Sequence, residues 1–411
     1  MRIIVVNQPL NNRGDEAAHR SLMLMLENRF PNDEKLVLFV GANQNSIRQF
    51  EVFPEKNKYL NIKPCLKFFF SVHLVFRFNI VRLFRYIHPT HYEVFRIIKN
   101  ADVVVCAPGG VCMGAYQNWV HIWLLNVALI LKKKVAYYSR SIGPFPESNN
   151  SQKRFKRISL RILNQLDFVS LRDTFSQELA SQLGIKITPS IDTAFLNMPA
   201  CNIPIEVQKL IKNEYVVFVP NKLSWHPYFK EVYSASLDHF YISVLNTLLD
   251  SREGIQVVML PQLFNTGEKN DINYFYHLKN IVKDDRVIII NDQFSSDIQQ
   301  AIISKCSFLV GARYHSIIFA INNQIPFAAL SYEHKMSGLL DMLELNDFQI
   351  DLQTIFKNNI YFNIEGEKAF KKLENCIVNP ISKEVLGAKK LIAEEIALNC
   401  ANEFAQKFGG I

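Results

Sequence analysis

The chain has 411 residues, of which 49% are hydrophobic and 20% are charged, and its formal net charge is +8. This length exceeds one ordinary hydrophobic core and predicts two domains, while the composition excludes a disordered polar chain. Seven cysteines without regular spacing predict neither a disulfide framework nor a zinc site. We therefore expect a cytoplasmic protein in a reducing compartment.

The positive charge is concentrated in the first half of the chain. Residues 1–200 hold 26 Lys and Arg against 14 Asp and Glu, whereas residues 201–411 hold 20 against 24. The asymmetry supports two domains, and it indicates either an anionic partner for the first domain or an ordinary solvated basic face. Because no stacking or groove-reading motif accompanies the basic half, we do not expect nucleic-acid binding.

Strands and helices alternate through the first half of the chain. Such alternation is typical of a parallel, doubly wound sheet. Asp15 is placed to cap the first helix, since a carboxylate accepts the free amide protons of a first helical turn. The predicted strands are 3–6, 35–40, 102–107, 134–139 and 168–171, and the predicted helices are 16–30, 116–132 and 153–167.

Residues 62–99 combine many phenylalanines with interspersed basic residues. Their longest stretch without Lys or Arg, 86–95, has ten residues, only half of the roughly twenty that a membrane-spanning helix needs. Two interpretations stay open: a basic amphipathic helix lying on an anionic membrane, or one or two helices packed on the sheet with basic outer faces. The basic residues are Lys63, Lys67, Arg77, Arg82, Arg85, Arg96 and Lys99.

The pattern breaks near Pro199 and Pro204, which we interpret as a linker between domains 1–198 and 205–380. By analogy of fold, we expect two Rossmann-like domains facing each other across a cleft, as in GT-B glycosyltransferases. A long helix is predicted within the final segment, 381–411. The second series has predicted strands at 215–220, 256–260, 287–290, 308–310 and 327–331, and predicted helices at 236–250, 271–282, 297–305 and 316–322.

The most informative segment is Gly-Ala-Arg-Tyr-His-Ser at 311–316. It follows a predicted strand and opens a predicted helix, where ligands of open α/β sheets bind and where free amide protons favour an anion. Arg313 adds a planar group suited to carboxylate or phosphate, and His315 can hold or release a proton near neutral pH. The alternatives are a structural ion pair for Arg313 and a buried core position for His315.

Three further side chains follow predicted strand ends. Tyr332 and Lys335 lie on the same rim of the sheet as the 311–316 segment. Lys335 either meets a phosphate or is an ordinary lysine at the start of a helix. Arg172 is a second arginine for an anion, unless it forms a salt bridge with Asp173 or another nearby acid.

Two loops in the first half offer weaker signals. Asn12, Gly14 and Asp15 lie between the first strand and the first helix, where Gly14 permits a tight turn. Gly109 and Gly110 form a glycine loop whose backbone amides could approach a ligand closely. The sequence contains no GxGxxG, Walker lysine or HExxH motif, so we expect neither dinucleotide, ATP nor metal binding.

Taken in order, these motifs resemble those of the polysaccharide pyruvyl transferase family. Each motif is weak alone, but seven in order over about residues 7–343 are specific. The family usually has leucine where Tyr314 stands, which leaves Arg313 and His315 intact, and residues 62–99 lie outside the pattern. The motifs are Asn-x-Gly-Asp at 12–15, Gly109–Gly110, Ser-Ile-Gly-Pro at 141–144, Leu-Arg-Asp at 171–173, Asp-x-Ala-Phe at 192–195, Arg-Tyr-His at 313–315, and 332–335.

The resemblance implies an enzyme that moves a pyruvyl group from phosphoenolpyruvate onto a sugar of a surface or capsular polysaccharide precursor. A cyclic ketal forms and phosphate leaves, with no further cofactor. The second domain would bind phosphoenolpyruvate and the first the acceptor. His315, Arg313 and Asp15 are the implied catalytic residues. The implied substrate-binding residues are Arg172, Asn12, Gly14, Gly109, Gly110, Ser316, Tyr332 and Lys335.

His315 is the proposed proton donor to the methylene carbon, because unperturbed histidine has a pKa near neutral pH. Alternatively, His315 binds only phosphate, and a carboxylate such as Asp15 or Glu333 transfers the proton. The acceptor could be a lipid-linked sugar at the inner membrane face, contacted through residues 62–99. The competing functions are a nucleotide-sugar glycosyltransferase of the GT-B type and a non-enzymatic partner in polysaccharide assembly.

Overall fold

The computed structural model describes residues 1–410 apart from 53, 115, 227, 230, 231, 233, 265–269 and 357–363. The chain divides into two compact units. The first unit comprises Met1–Leu10, Ala18–Thr193 and Glu395–Ile411, and the second comprises Asn11–Ala17 and Ala194–Glu394. The segment Asn11–Ala17, which contains the Asn-x-Gly-Asp motif at 12–15, is therefore part of the second unit.

The first unit is built on a parallel sheet of mostly buried, apolar strands, the pattern expected where a sheet is covered on both faces. Its strands are β1 (Arg2–Val6), β2 (Glu34–Val40), β3 (Lys58–Ile62), β4 (Val103–Cys106), β5 (Gly109–Gly114), β6 (Lys134–Gly143), β7 (Phe168–Leu171) and β8 (Thr188–Pro189). They lie in the order β3-β2-β1-β4-β6-β7-β8, and β5 pairs with β6.

Helices connect these strands, and asparagine side chains cap several of them, as the starts of α6 and α7 illustrate. Asn118 accepts the N–H of His121 and Asn149 accepts that of Gln152, each at 3.0 Å. Such caps satisfy amide protons that have no partner within the helix. The helices are α1 (Arg13–Arg29), α2 (Gln44–Phe50), α3 (Phe68–Phe78), α4 (Val81–Ile87), α5 (Pro89–Lys99), α6 (Trp119–Ile130), α7 (Asn150–Leu163) and α8 (Thr174–Gln182).

The second unit holds another parallel sheet. Its strands are β9 (Tyr215–Val219), β10 (Gln256–Met259), β11 (Val287–Ile289), β12 (Leu309–Gly311), β13 (Phe327–Ser331) and β14 (Gln349–Asp351), in the order β11-β10-β9-β12-β13-β14. The remaining helices are α9 (Ile205–Leu210), α10 (Ser234–Asp250), α11 (Asp271–Val282), α12 (Ser296–Ile303), α13 (Tyr314–Asn322), α14 (His334–Met342), α15 (Leu352–Phe356), α16 (Ile364–Val378) and α17 (Lys383–Phe408).

The strand order reverses beside the first strand of each unit. In the first sheet the reversal lies between β1 and β4, and in the second it lies between β9 and β12. Ligands of open α/β sheets bind outside the carboxyl ends of strands at such a switch point. The topology therefore directs attention to the residues that follow β9 and β12, and to those that follow β1 and β4.

The predicted α/β class with parallel sheets is confirmed, as is the long C-terminal helix. Two local predictions are wrong. Gly109 and Gly110 do not form a loop, because they lie in β5, a strand that pairs with β6. The first helix begins at Arg13 rather than at residue 16. Residues 62–99 contain three short helices, and none of the described helices is long and apolar enough to cross a membrane.

Substitution of Phe404 in α17 tests how the C-terminal segment packs in the first unit. The fully buried ring of Phe404 lies 5.2 Å from that of Tyr138 and 5.6 Å from that of Phe168, between centroids. We expect Phe404→Ala to lower the free energy of unfolding by about 3–5 kcal/mol, because a cavity replaces the ring. Urea denaturation followed by circular dichroism measures this loss.

The matched control is Leu398→Ala on the same helix, where the side chain is 48% exposed. This change should alter the free energy of unfolding by no more than about 0.5 kcal/mol. Equal losses for the two variants would contradict the packing described for Phe404.

Candidate active site

Arg313 stands between β12 and α13, at the switch point of the second sheet. It is the N-cap residue of α13, and its carbonyl accepts the backbone N–H of Ser316 at 3.0 Å and the Ser316 hydroxyl at 2.6 Å. A Cβ on Gly311 would lie 2.2 Å from the Ser316 hydroxyl oxygen, so this turn requires glycine. The amides at the start of α13 form the kind of helix N-terminus that binds anions.

A buried ion pair fixes the Arg313 guanidinium. One of its terminal nitrogens pairs with Asp271, whose other carboxylate oxygen accepts the backbone N–H groups of Gln262 and Leu263 at 3.0 and 2.9 Å. Burial lowers the pKa of Arg313, but the Asp271 carboxylate outweighs burial and leaves this pKa above its ordinary value. The Nε of Arg313 is buried and has no hydrogen-bond partner among the described residues.

Asn221 follows β9 on the other side of the same switch point. Its side chain is fully buried, and neither amide atom has a hydrogen-bond partner within the part of the chain that the structure describes. Its backbone is held by Tyr241, whose hydroxyl donates to the Asn221 carbonyl at 3.1 Å. A buried polar group of this kind calls for an explanation, and a bound ligand is one. Sequence reasoning missed Asn221, since only its position after a strand marks it.

Gly14 lies directly against the imidazole of His315. A Cβ on Gly14 would stand 1.8 Å from His315 Cγ, so any larger residue at position 14 would force the His315 ring to move. Gly14 has no positive φ, and its role here is close approach rather than the tight turn that we predicted. His315 is 6% exposed, and its ring lies 5.1 Å from that of Tyr314 between centroids.

Asn12, not Asp15, caps α1. The side-chain oxygen of Asn12 accepts the backbone N–H of Gly14 at 2.9 Å and that of Asp15 at 3.4 Å. The predicted cap at Asp15 is therefore wrong, because the helix begins two residues earlier than Asp15. Asp15 is buried in the first turn of α1.

Buried charges hold the Asn11–Ala17 segment within the second unit. Arg13 pairs with Glu16 at 2.8 Å and donates to the carbonyl of Gln293 at 2.9 Å. Glu16 in turn accepts the backbone N–H of Ser296 at 3.3 Å. These contacts position Gly14 against His315, and sequence reasoning did not identify either Arg13 or Glu16.

Tyr332 and Lys335 follow β13, the strand next to β12. Lys335 forms an ion pair with the buried Glu333, and its ammonium lies 5.8 Å from the centroid of the Tyr314 ring. Burial raises the pKa of Glu333, but Lys335 and His226 outweigh burial and hold this pKa well below its usual range. Tyr332 is buried, which raises the pKa of its hydroxyl.

Arg172 lies in the first unit at the end of β7. Its buried guanidinium pairs with Asp192 and donates to the Ser141 hydroxyl at 3.1 Å. The partner is not the neighbouring Asp173, whose carboxylate caps α8 through the N–H of Ser176 at 2.8 Å. The ion pair is the alternative that the sequence left open for Arg172, and a contact with an anion stays a prediction.

Gly109 and Gly110 adjoin Arg140, which sequence reasoning did not select. The fully buried Arg140 donates to the carbonyls of Ala107 at 2.6 Å and Gly110 at 3.1 Å, and to that of Asn7 at 3.2 Å. Gly109 has a φ of 150°, which favours glycine. The available signal for Arg140 was that it lies in the Ser-Arg-Ser-Ile-Gly-Pro run, at the end of the predicted strand 134–139.

A cavity of about 450 Å³ opens beside the switch point of the first sheet. It is lined by polar side chains that follow β1 and start α6, and by apolar residues of β2 and α3. Members include Asn7, Gln8, Asn118, His121, Leu38 and Phe69. Burial lowers the pKa of His121 well below its ordinary value, so the ring is neutral at physiological pH.

No group of three or more His, Cys, Asp or Glu side chains within the described ranges is placed to hold a metal ion.

Comparison with known proteins gives one family and one fold. The sequence model of a family described as polysaccharide pyruvyl transferase matches residues 12–334. The amylovoran biosynthesis protein AmsJ of Erwinia amylovora is 24% identical over 424 residues, covering 96% of this chain and 99% of that protein.

Solved structures of low sequence identity share the fold. A structure of LpCGTa in complex with UDP has a TM-score of 0.62 at 9% identity, covering 99% of each chain. A putative UDP-N-acetylglucosamine 2-epimerase from Listeria monocytogenes has a TM-score of 0.57 at 10% identity, covering 95% of this chain and 93% of that one. These likenesses show a fold of the GT-B type.

Gly14→Ala tests the contact between Gly14 and His315. The added methyl group would overlap the imidazole, so the ring must move, and we expect both catalytic activity and thermal stability to fall. A destabilisation of about 1–3 kcal/mol is typical of overpacking. Thermal denaturation and the turnover rate measure the two effects.

Gly387→Ala in α17 is the control, because its Cβ would make only ordinary contacts with Gln324, at 3.6 Å or more. Alanine within a helix should stabilise the protein slightly, by about 0.5–1 kcal/mol. Wild-type activity and stability in Gly14→Ala would contradict the described contact.

Proposed function

The chain belongs to the polysaccharide pyruvyl transferase family, and on that premise we propose which reaction it catalyses. The membership confirms the family that the ordered motifs resembled, and the chain is a transferase. We propose that it moves a pyruvyl group from phosphoenolpyruvate onto two hydroxyls of a sugar in a polysaccharide precursor. The main support is the position of Arg313 and His315 beside the N-terminus of α13, at the switch point of the second sheet.

Phosphoenolpyruvate has a carboxylate and a phosphate close together, and burying both without partners would be prohibitive. The Arg313 guanidinium, held charged by Asp271, could donate from its Nε, and the first amides of α13 could donate beside it. Asn221 offers a further donor and acceptor. Each charge-assisted hydrogen bond would contribute about 1.5–3 kcal/mol. Lys335 stays a prediction as a phosphate contact, because Glu333 already pairs with its ammonium.

In the proposed reaction, a proton is added to the methylene carbon of phosphoenolpyruvate, and positive charge develops at the neighbouring carbon. One sugar hydroxyl attacks that carbon and loses its proton. A second hydroxyl then displaces phosphate and closes the ketal. The two hydroxyl protons balance the new methyl proton and the proton carried by the released phosphate.

We propose His315 as the acid that protonates the methylene carbon. The competing acid Glu333 is disfavoured, because Lys335 and His226 hold its pKa well below the usual range and keep it ionised at neutral pH. An ionised carboxylate has no proton to donate. Asp15 stays an alternative acid, in the first turn of α1 beside Gly14.

The acceptor would bind in the cavity of the first unit. Asn7, Gln8 and Asn118 supply amide groups of the kind that hydrogen-bond sugar hydroxyls, and His121 supplies a neutral imidazole. The homologue from Erwinia amylovora is named for amylovoran biosynthesis. We propose that the acceptor here is a sugar of a polysaccharide precursor carried on a lipid at the inner membrane face.

His315→Ala tests the proposed acid. We expect turnover of phosphoenolpyruvate to fall by about 10²–10⁴-fold, the range for loss of a general acid. Binding of phosphoenolpyruvate should persist, because Arg313 and the α13 amides are unchanged. At a concentration one hundred times the dissociation constant, the ligand should still stabilise the variant by about 2.7 kcal/mol in a thermal shift assay.

His315→Gln controls for the space that alanine leaves beside Gly14, and it should be as inactive as His315→Ala. Near-normal turnover in either variant would refute the assignment of His315 as the acid. Loss of phosphoenolpyruvate binding together with turnover would instead assign His315 to donor binding.

A further inference from the structure

Helices α3 and α4 expose large apolar side chains to solvent. In residues 66–92 the exposed fractions range from 54% to 86% for Leu66, Phe69, Phe70, Phe78, Leu83, Tyr86, Ile87 and Tyr92. The opposite side of α3 packs into the core through Phe68, Val72, Val75 and Phe76. Both sides of this helix are therefore apolar, and the outer one is covered by nothing within the described chain.

Basic side chains surround these exposed residues. Residues 62–99 contain seven Lys and Arg and a single acid, Glu93. The Arg77 guanidinium lies 5.5 Å from the centroid of the Phe78 ring, and that of Arg85 lies 4.4 Å from the centroid of the Tyr86 ring. Aromatic and basic side chains on one helical surface are typical of helices that lie in the interface of an anionic membrane.

We propose that this surface, the α3–α4 face, binds peripherally to an anionic lipid bilayer. We define the α3–α4 face by Phe70, Phe78, Leu83, Ile87, Arg77, Arg82 and Arg85. The helices have 11 and 7 residues, too short to span a bilayer but long enough to lie in its surface. The positive charge selects an anionic bilayer over a second copy of this basic face, since like charges would repel.

The α3–α4 face adjoins the first-unit cavity, which links lipid binding to the access of a lipid-carried acceptor. Phe69 of α3 is exposed to solvent and also lines the cavity that contains Asn7, Asn118 and His121. Because Phe69 directly precedes Phe70 of the α3–α4 face, we infer that a sugar carried by a membrane lipid would enter the cavity next to the bound bilayer. This route for the acceptor rests on the proposed function, whereas the proposal that the face binds lipid does not.

Vesicle sedimentation of the full chain tests the proposal. Vesicles of phosphatidylcholine are compared with vesicles of equal parts phosphatidylcholine and phosphatidylglycerol. The wild type should bind the anionic vesicles, and its affinity for phosphatidylcholine alone should be lower by about tenfold or more. Phe70→Ser/Phe78→Ser/Ile87→Ser and Arg77→Gln/Arg82→Gln/Arg85→Gln should each lose about tenfold or more in affinity for anionic vesicles.

The control Leu391→Ser/Leu398→Ser changes exposed apolar residues of α17, 66% and 48% exposed, and should bind vesicles like the wild type. Equal binding with and without phosphatidylglycerol, or unchanged binding by the serine variant of the face, would overturn the proposal. So would a wild-type dimer in size-exclusion chromatography with light scattering that the serine variant dissociates, because the face would then join two copies.

A soluble sugar acceptor separates this proposal from the proposed function. With such an acceptor, the serine variant of the face should release phosphate from phosphoenolpyruvate at the wild-type rate, since its changes lie outside the cavity. If the wild type binds anionic vesicles but releases no phosphate with any acceptor, the membrane proposal stands and the proposed reaction fails.

Discussion

The buried ion pair between Arg313 and Asp271 is the interaction on which the second unit's site depends. A buried charge without a partner would be strongly destabilising, and here Asp271 is itself fixed by the backbone N–H groups of Gln262 and Leu263. The pair therefore keeps the guanidinium charged and stationary at the end of β12. The Nε of Arg313 has no partner among the described residues. The ion pair with Asp271 therefore fixes the guanidinium but leaves a donor for an anionic ligand.

The rest of the second-unit site is arranged around this fixed cation. The switch point between β9 and β12 places Asn221 and the start of α13 at one edge of the sheet. Gly14 lets the Asn11–Ala17 segment approach closely enough to contact the His315 ring. The α13 amides, the guanidinium and the imidazole together suit a small, highly charged donor whose reaction begins with a proton transfer.

Periodicity and strand-end position allowed most of the fold and the Arg313–His315 segment to be predicted. The buried parallel strands are continuous apolar runs, so their positions were visible in the sequence. Contacts between residues distant in sequence could not be predicted. Asp271 lies 42 positions from Arg313, and nothing in the local sequence marks Gly14 as the neighbour of His315. Gly109 and Gly110 were predicted as a loop because paired glycines directly after a predicted strand are typical of loops, yet they lie in β5, a strand that pairs with β6.

Proton transfer to the methylene carbon of phosphoenolpyruvate is the central claim, and the reaction in deuterium oxide tests it most directly. The chain is incubated with phosphoenolpyruvate and a panel of sugars, and NMR follows phosphate and the ketal methyl group. We predict phosphate release in step with a ketal whose methyl group carries a single deuterium. The claim would be contradicted if phosphoenolpyruvate stayed intact with every acceptor while the chain transferred sugar from a nucleotide sugar.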